Sequence, residues 1–275
     1  MVLNNKTFLI TGIADEHSLA MYVAKAVIKQ GGNVICTGLG VSPFHGDLSD
    51  RAKDYLNNTF NDFKESIKTH LGSNASAEIL DVTLDDNIEF FAKNLFKNDI
   101  KIDGILHAVA MDKTIRNKKV KPLLDVTFDE FCGTMDVSAF SLIRLTNSLF
   151  KSQVLNPGAS ICALSYIAAE KVTFHPYRNM SVAKAALERI VIELADEMGR
   201  SNGTRVNAIR FSTYLGSKAG AATLTEDDVA KSNRISPLGN ASPRDLANEV
   251  VHLFRPESRI TGEIRHVDGG YHIMG

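Results

Sequence analysis

Residues 7–20 read TFLITGIADEHSLA, a short apolar run followed by Gly12 and the pattern of a helix. The same alternation of short apolar runs and longer helical patterns continues through the 275-residue chain. Apolar strands separated by helices are typical of a parallel sheet covered on both faces. We therefore predict an α/β fold: a single-domain, Rossmann-like, doubly wound parallel sheet of about seven strands with helices on both faces.

The hydrophobic pattern also places the individual elements. Strands are expected at 7–11, 34–37, 77–82, 102–110, 159–165, 205–211 and 263–267. Helices are expected at 18–30, 85–97, 128–151, 177–199 and 243–254. Two stretches, 38–75 and 212–242, interrupt the alternation, and the second is predicted to be a flap that binds substrate. No linker or repeat is visible, so residues 1–275 are predicted to form one domain.

Composition narrows the class of partner. A net charge of −1 gives no electrostatic reason to expect nucleic acid or an anionic membrane. The three cysteines have no metal-ligand spacing, and no metal is expected. No apolar run approaches about 20 residues and no signal peptide is recognised, so no membrane span is expected. A reducing, cytoplasmic location fits these features.

The end of the first strand is a candidate nucleotide site. A glycine there, followed by a helix start, places backbone N–H groups and a positive helix end near a pyrophosphate. Ser18 is a candidate helix cap whose hydroxyl could also reach a phosphate. Taken alone, Gly12 before a helix is more often an ordinary turn. Asp81 and Val82 end the third predicted strand and are candidates to bind adenine, unless Asp81 only caps the next helix.

The second predicted strand bears on the choice of cofactor. It ends near Leu39 without the carboxylate that usually binds the ribose 2′-hydroxyl. It also lacks an adjacent cation for a 2′-phosphate, since Arg51 and Lys53 come more than ten positions later. The lack of a nearby cation favours NADH, with NADPH as the alternative.

Tyr177 and Lys184 form a candidate catalytic pair. Lys184 comes seven positions after Tyr177, which places both on one face of a helix that begins near Pro176. A phenol beside an ammonium group is a proton donor with a neighbour that adjusts its pKa, suited to reducing a polarised double bond. The alternative is a surface tyrosine and a surface lysine on an ordinary helix.

This pair resembles that of the NAD(P)H-dependent enoyl-acyl carrier protein reductases, within the short-chain dehydrogenase/reductase superfamily. Most of the superfamily has a tyrosine four residues before the lysine, where this chain has Met180. The enoyl reductases place the tyrosine seven residues before it, and carry a second tyrosine in an LSY motif, matched by Tyr166. Further matches are TGIADEHSLA at 11–20, Asp81-Val82, HAVA ending at Ala110, RVNAI at 205–209 and HVDGGYHIMG at 266–275.

The resemblance implies hydride transfer to the β-carbon of a trans-2-enoyl thioester in fatty acid biosynthesis. Tyr177 would stabilise the enolate, Lys184 would bind the nicotinamide ribose, and Tyr166 would complete the catalytic set. The implied cofactor contacts are Gly12, Ser18, Leu19, Leu39, Asp81, Val82, Val109, Lys184, Tyr214 and Ser217. The implied substrate contacts are Met111, Asp112, Tyr166, Tyr177 and Met180.

The chain also departs from the pattern of this family. One additional residue, in VTFHP at 172–176, separates the two tyrosines. After RVNAI, the family's Gly-Pro turn is replaced by the segment 210–218, RFSTYLGSK. These departures predict an altered substrate or cofactor range. The alternatives are a reductase or dehydrogenase acting on a carbonyl or alcohol, and a nucleotide-binding homologue without catalysis.

The expected partners follow from the same resemblance. The substrate would be a thioester of acyl carrier protein or coenzyme A, and the assembly a homotetramer that packs through helices 128–151 and 177–199. A basic run after the fourth strand could attract an acidic carrier protein or a phosphorylated arm, unless it is only a solvated loop. The run comprises Lys113, Arg116, Lys118, Lys119 and Lys121.

Overall fold

The computed structural model describes residues 1–274 and contains one seven-stranded, wholly parallel sheet. The order of its strands is β3-β2-β1-β4-β7-β8-β9, with helices on both faces. This confirms the predicted α/β, Rossmann-like fold. The strands of this sheet are β1 Thr7–Ile10, β2 Asn33–Gly38, β3 Ala75–Ile79, β4 Ile102–His107, β7 Leu155–Ser165, β8 Arg205–Phe211 and β9 Ile264–Val267. Two short strands, β5 Ile115–Arg116 and β6 Lys119–Val120, form a separate antiparallel hairpin.

The helices fall close to the predicted positions, with additions. They are α1 Leu19–Lys29, α2 Asp50–Leu71, α3 Asp85–Lys97, α4 Phe128–Met135, α5 Ser141–Lys151, α6 Arg178–Asn202, α7 Lys218–Thr223, α8 Glu226–Ile235 and α9 Pro243–Phe254. The predicted helix 128–151 is interrupted by one π-helical segment, Asp136–Phe140. In the described part of the chain, no helix is both long and apolar enough to cross a lipid bilayer.

Strand β1 shows how the sheet divides the core into two layers. Phe8 and Ile10 point to the face covered by α1 and α9, whereas Leu9 points to the face covered by α3, α5 and α6. Phe8 stacks on Phe254 of α9 with ring centroids 4.7 Å apart. Full burial of each such side chain contributes about 1.5–3 kcal/mol. Apolar residues at every position of a strand therefore stabilise both layers at once.

The interruption predicted at 38–75 is instead largely a helix, α2. Only Phe63, Ile67 and Leu71 of its 22 residues are buried, so its hydrophobic pattern is weak in the sequence. The helix begins after Ser49, whose hydroxyl accepts a hydrogen bond from the Ala52 N–H. The other interruption, 212–242, contains the two short helices α7 and α8.

Several strands end earlier than predicted, and this shortening opens the edge of the sheet. Strand β3 ends at Ile79, so Asp81 and Val82 lie in the connection to α3. Strand β4 ends at His107, and residues 108–110 leave the sheet. Residues that leave the ladder at the carboxyl ends of parallel strands can turn their side chains toward a bound ligand.

Candidate active site

A cavity of about 1130 Å³ lies at the carboxyl ends of the parallel strands. Its walls come from the segments that follow β1, β2, β3, β4, β7 and β8, together with parts of α2, α6 and α7. Strand β1 lies between β2 and β4, so successive connections leave it in opposite directions. This is the position at which doubly wound sheets bind nucleotides.

Gly12 brings the end of β1 close to the end of β4. Its φ is +81°, and a Cβ built at this position would lie 2.2 Å from the Ala108 carbonyl oxygen. No side chain fits there, and a positive φ is strained for residues other than glycine. Both the positive φ and the close approach to Ala108 therefore require glycine at this position. Gly12 also lines the cavity, as the sequence predicted.

Ser18 holds the loop at the start of α1. Its hydroxyl accepts hydrogen bonds from the Ala14 and Asp15 N–H groups at 2.9 and 3.0 Å, and donates to the Asp15 carboxylate. It makes no bond to the first turn of α1, so the expected side-chain cap is not formed. The free N–H groups of that turn remain available to an anion. Leu19, the first residue of α1, also lines the cavity.

Asp81 lies at the end of the cavity where the adenine is expected. Its carboxylate accepts hydrogen bonds from the Thr83 N–H and hydroxyl at 2.9 and 2.6 Å. Helix α3 begins after Leu84, so Asp81 does not cap it. His45 Nδ1 accepts from the Ser42 N–H, which leaves the His45 proton on Nε2, 3.4 Å from the second oxygen of Asp81. Asp81 is therefore fixed in orientation by Thr83 of its own connection and by His45 of the connection between β2 and α2.

One face of α2 forms a wall of the cavity that the sequence analysis missed. The residues on this face are Tyr55, Thr59, Asp62, Phe63 and Ser66. Their spacing of three and four positions is the helical period that places side chains on one face. Phe63 packs against Gly38 at the end of β2, and Leu39 lines the cavity beside it. Helical periodicity from residue 55 to residue 66 is the signal that would have found this wall.

The predicted catalytic pair meets at this cavity. Tyr177 immediately precedes α6, and Lys184 lies two turns into it. The Lys184 ammonium is buried and donates to the Leu164 carbonyl at 2.8 Å. Burial lowers the pKa of Lys184 to about 8, and the nearby Glu188 opposes this shift. The Tyr177 hydroxyl has no hydrogen-bond partner among residues 1–274, and burial raises its pKa to about 12, so it stays a proton donor at neutral pH.

Tyr166 differs from Tyr177 in the state of its hydroxyl. The Tyr166 hydroxyl is 3.2 Å from Thr213 Oγ1, within hydrogen-bond distance. The rings of the two tyrosines lie 5.6 Å apart between centroids, and both line the cavity. The additional residue between them is thus accommodated without separating them. The connection between the two tyrosines also brings His175 into the cavity wall. The sequence analysis did not select this residue.

The unusual segment after RVNAI is explained by a buried ion pair. Arg210 continues β8 and binds Glu188 of α6 with two hydrogen bonds, at 2.8 and 2.6 Å. Glu188 also accepts from the Ser165 hydroxyl at 2.6 Å, and Arg210 makes a further ion pair with Glu170. Through Glu188, Arg210 of β8 and Ser165 of β7 are hydrogen-bonded to α6, the helix that carries Lys184.

Replacing Glu188 with glutamine is therefore expected to destabilise the fold. A buried guanidinium left without its principal carboxylate typically costs about 3–5 kcal/mol. Glu193→Gln on the same helix is the matched control, because its ion pair with Arg189 is exposed and worth less than about 1 kcal/mol. Urea unfolding of both variants measures the difference. Equal free energies of unfolding for Glu188→Gln and Glu193→Gln would show that the Arg210–Glu188 pair does not stabilise the fold.

Two flap residues join the cavity wall. The Tyr214 hydroxyl donates to the His17 carbonyl at 3.0 Å and thereby links the flap to the loop before α1. Ser217 caps α7 by accepting from the Gly220 N–H at 3.0 Å. Lys218 follows it at the same wall. These positions agree with the predicted proximity of Tyr214 and Ser217 to the cofactor, whose contacts stay a prediction.

The predicted substrate residues divide into two groups. Met111 lines the cavity, as does Val109 of the predicted cofactor set. Met180 is only 4% exposed and does not reach the cavity wall, so its side chain is buried in the protein interior. Asp112 also lies outside the wall, where its carboxylate accepts from the Thr114 N–H and hydroxyl.

A cluster near the carboxyl end of the chain has the composition of a metal site. Ligand atoms of His266, Asp268 and His272 lie within 4.8 Å of one another. His272 Nδ1 is bonded to the Asp268 carboxylate at 2.9 Å, and Arg210 Nη1 lies 3.4 Å from His266 Nε2. This arginine makes His266 Nε2 an acceptor and leaves the proton on Nδ1, the atom that would have to bind a metal. We interpret the cluster as a hydrogen-bonded anchor for the last strand.

The basic run after β4 has a defined structure. Arg116 and Lys119 are paired in the β5–β6 hairpin, and the Lys118 N–H donates to the Ala222 carbonyl of α7. Lys121 binds Glu130 at 2.7 Å and is the principal cause that lowers the pKa of Glu130 to about 2. The run is thus a hairpin beside the flap, and one of its charges is already neutralised by an ion pair.

Comparison with known proteins identifies one protein family that matches almost the whole chain. A family model described as "Enoyl-(Acyl carrier protein) reductase" matches residues 12–272. The chain is 33% identical to the enoyl-[acyl-carrier-protein] reductase [NADH] FabI of Aquifex aeolicus, with 100% of this chain and 94% of the relative covered. It is also 33% identical to enoyl-[acyl-carrier-protein] reductase [NADH] 1 of Rhizobium meliloti, with coverage of 100% and 93%.

Solved structures agree with these relatives. The FabI–NADH complex of Alistipes finegoldii has a TM-score of 0.85 at 27% identity, with 100% of this chain and 90% of that chain covered. The Bacillus cereus enoyl-acyl carrier protein reductase with NADP⁺ and indole naphthyridinone has a TM-score of 0.85 at 28% identity, with coverage of 100% and 99%. The similar structures therefore include one determined with NADH and one determined with NADP⁺.

Proposed function

The chain belongs to the enoyl-acyl carrier protein reductase family, and on this premise we propose that it reduces the double bond of trans-2-enoyl thioesters with NADH in fatty acid biosynthesis. The observation that carries the proposal is the hydroxyl of Tyr177, which has no hydrogen-bond partner among the described residues and lines the same cavity as buried Lys184. A carbonyl reductase would need a proton donor at position 180, where this chain has a buried methionine.

Tyr177 and Lys184 have separate tasks in this proposal. NADH supplies the hydride that the β-carbon of the substrate receives. Tyr177 would donate a hydrogen bond to the thioester oxygen as negative charge develops there during this transfer. Lys184, fixed by the Leu164 carbonyl, presents its remaining N–H groups to the nicotinamide ribose and adds positive charge nearby. Tyr166 lines the acyl side, with its hydroxyl oriented by Thr213.

The walls of the cavity suit a dinucleotide. The close approach at Gly12 leaves room for a pyrophosphate at the start of α1, where Ser18 orders the loop and Leu19 begins the helix. Asp81 and Val82 would hold the adenine, and Leu39 would flank the adenosine. Val109, Tyr214 and Ser217 would lie along the nicotinamide half. Met111 and the two tyrosines would contact substrate, whereas Met180 and Asp112 would support them from behind.

The charges of the cavity favour NADH over NADPH. The Lys and Arg residues among those that line it are Lys184 and Lys218, and the wall formed by α2 carries Asp62. A 2′-phosphate would place about two negative charges at the adenosine end, close to the carboxylates of Asp62 and Asp81. In this proposal the Asp62 carboxylate would take the place of the acidic residue missing from the end of β2.

Replacing Asp62 with lysine is expected to raise kcat/KM for NADPH by about tenfold relative to NADH, because a repulsive charge becomes an attractive one. Asp54→Lys is the control, since Asp54 is also exposed on α2 but does not line the cavity. Initial rates with both cofactors measure the ratio. An unchanged ratio in Asp62→Lys would place the 2′-position away from α2.

The substrate class of the family is an acyl carrier protein thioester, and coenzyme A thioesters share its reactive arm. We propose a homotetramer that packs through α4, α5 and α6. Phe128 and Phe140 are 79% and 45% exposed, and Val182 and Ile192 on α6 are partly exposed as well. We further propose a cytoplasmic enzyme of one domain, with residues 212–242 as the flap over the substrate.

Absorbance of NADH with a short trans-2-enoyl thioester, and with a 3-ketoacyl thioester as control, tests the reaction class. Oxidation of NADH with the enoyl substrate alone supports the proposal. Oxidation with the ketoacyl substrate alone would indicate a carbonyl reductase. Binding of NADH without turnover of either substrate would indicate a non-catalytic homologue.

A further inference from the structure

His175 is an ionisable side chain in the wall of the substrate cavity. It is only 4% exposed, and its ring packs beside those of both Tyr166 and Tyr177, at centroid distances of 5.4 and 6.0 Å. It comes from the connection that carries one residue more than the family pattern. The Thr173 hydroxyl donates to the His175 carbonyl at 2.7 Å and holds this connection in place.

The two ring nitrogens of His175 have different surroundings. Nδ1 is inaccessible and has no hydrogen-bond partner in the described chain. Nε2 also has no hydrogen-bond partner among residues 1–274. Unlike Nδ1, it is not an inaccessible atom, and His175 lines the cavity. A buried N–H group without an acceptor costs about 1–3 kcal/mol. The proton of neutral His175 is thus better placed on Nε2, where a ligand in the cavity can accept it.

The groups around His175 keep it neutral at neutral pH. Burial is the first cause that lowers its pKa, and the carboxylate of Asp228 on α8 opposes the shift. Tyr166 and Tyr177 face the ring as neutral phenols, because burial raises the pKa of both. Phe174 contacts the His175 ring edge-on, and Lys231 of α8 lies over the Phe174 ring with its ammonium 4.8 Å from the ring centroid. His175 therefore presents one N–H donor to the cavity rather than a charge.

Neither tyrosine hydroxyl is free to donate the additional hydrogen bond that His175 offers to a ligand. The Tyr166 hydroxyl is paired with Thr213, and the Tyr177 hydroxyl is assigned to the thioester oxygen. An imidazole that faces only an alkyl chain would leave a desolvated donor unpaired, at a cost in binding. A substrate oxygen within reach would remove this cost. The ring is thus a poor neighbour for a purely hydrocarbon ligand and a good one for an oxygen acceptor.

We propose that Nε2–H of His175 donates a hydrogen bond to an oxygen of the substrate, and so makes His175 a specificity-determining residue. This inference rests on the proposed enoyl reductase function. Two parts of a thioester substrate can supply the oxygen: an amide carbonyl of the pantetheine arm, or an oxygen substituent on the acyl chain. The chemistry of recognition is the same for both.

The test compares His175→Phe, which keeps a ring without a donor, with His175→Gln, which restores an N–H near the position of Nε2. Each is assayed with three trans-2-octenoyl thioesters: that of coenzyme A, that of ethanethiol, which has no amide, and the ethanethiol ester hydroxylated at carbon 8. Loss of the hydrogen bond is expected to raise KM about tenfold for the substrate that carries the recognised oxygen. Glutamine is expected to restore most of this loss.

The pattern of losses identifies the source of the oxygen. A loss confined to the coenzyme A thioester assigns it to the pantetheine arm, and one confined to the hydroxylated ester assigns it to the acyl chain. An equal effect of His175→Phe on all three substrates, or the absence of any effect, would overturn the proposal. His175→Leu serves as a second donor-free variant if the phenylalanine variant does not fold. Failure of the wild-type protein to reduce any of the three would instead reject the proposed function.

Discussion

Replacing Tyr177 with phenylalanine is expected to lower kcat/KM for a trans-2-enoyl thioester by about 10²–10³-fold. The substitution removes a hydroxyl that lines the cavity close in sequence to Lys184 and that has no hydrogen-bond partner within the described protein. Loss of a single preorganised donor to a developing oxyanion has an effect of this size. The loss is expected in kcat, with binding of NADH unchanged, because the hydrogen bond strengthens only as charge develops. Steady-state kinetics and a direct titration with NADH measure both quantities.

Tyr166→Phe is the matched control for this experiment. The Tyr166 hydroxyl is already paired with Thr213, so its removal is expected to change kcat by less than about tenfold. Full activity of Tyr177→Phe would contradict the assigned mechanism. A larger loss in Tyr166→Phe than in Tyr177→Phe would transfer the role of donor to the other tyrosine.

Replacing Lys184 with methionine is expected to weaken NADH binding by roughly 10- to 100-fold, the value of a hydrogen bond from a charged group. It is expected to lower kcat/KM further, because the positive charge near the reacting centre is also lost. Lys218→Met is the control, since Lys218 lines the cavity but is exposed. Similar losses in both variants would show that the site requires only general positive charge.

The pH dependence gives a second measure of Lys184. Burial lowers its pKa to about 8, so the ammonium form predominates below this pH and is lost above it. Because the charged form is the active one, kcat/KM is expected to fall as the pH rises through about 8. The residual activity of Lys184→Met is expected to lack this alkaline decline. Persistence of the decline in the variant would assign it to another group.

The fold could be predicted from the sequence because its strands are apolar on both faces. Phe8, Leu9 and Ile10 supply both layers of the core, and such runs stand out from the helices that separate them. Helix α2 was missed for the opposite reason, since only three of its residues are buried. With it, the cavity wall that carries Asp62 was missed. A helix that mainly faces solvent and a ligand cavity is revealed by its helical period and not by the number of its apolar residues.

The site could be predicted where chemistry depends on spacing along one helix. The offset of seven positions from Tyr177 to Lys184 correctly predicted that both line one cavity, even though Tyr177 lies just before α6. The reason for Arg210 could not be predicted, because its partner Glu188 is 22 residues away in sequence and comes into reach only when α6 packs against β8. The position of His175 depends in the same way on the packing of a connection between two elements.

Transfer of deuterium from NADH carrying deuterium at the reactive position of its nicotinamide C4 tests the central claim most directly. Mass spectrometry and NMR of the saturated acyl product from a trans-2-enoyl thioester would locate the label. The proposed reaction predicts one deuterium at carbon 3, with the proton at carbon 2 coming from solvent. Tyr177→Phe should give the same labelling at a much lower rate. A product without deuterium at carbon 3, or a label found only in an alcohol formed from a 3-ketoacyl thioester, would contradict the assignment.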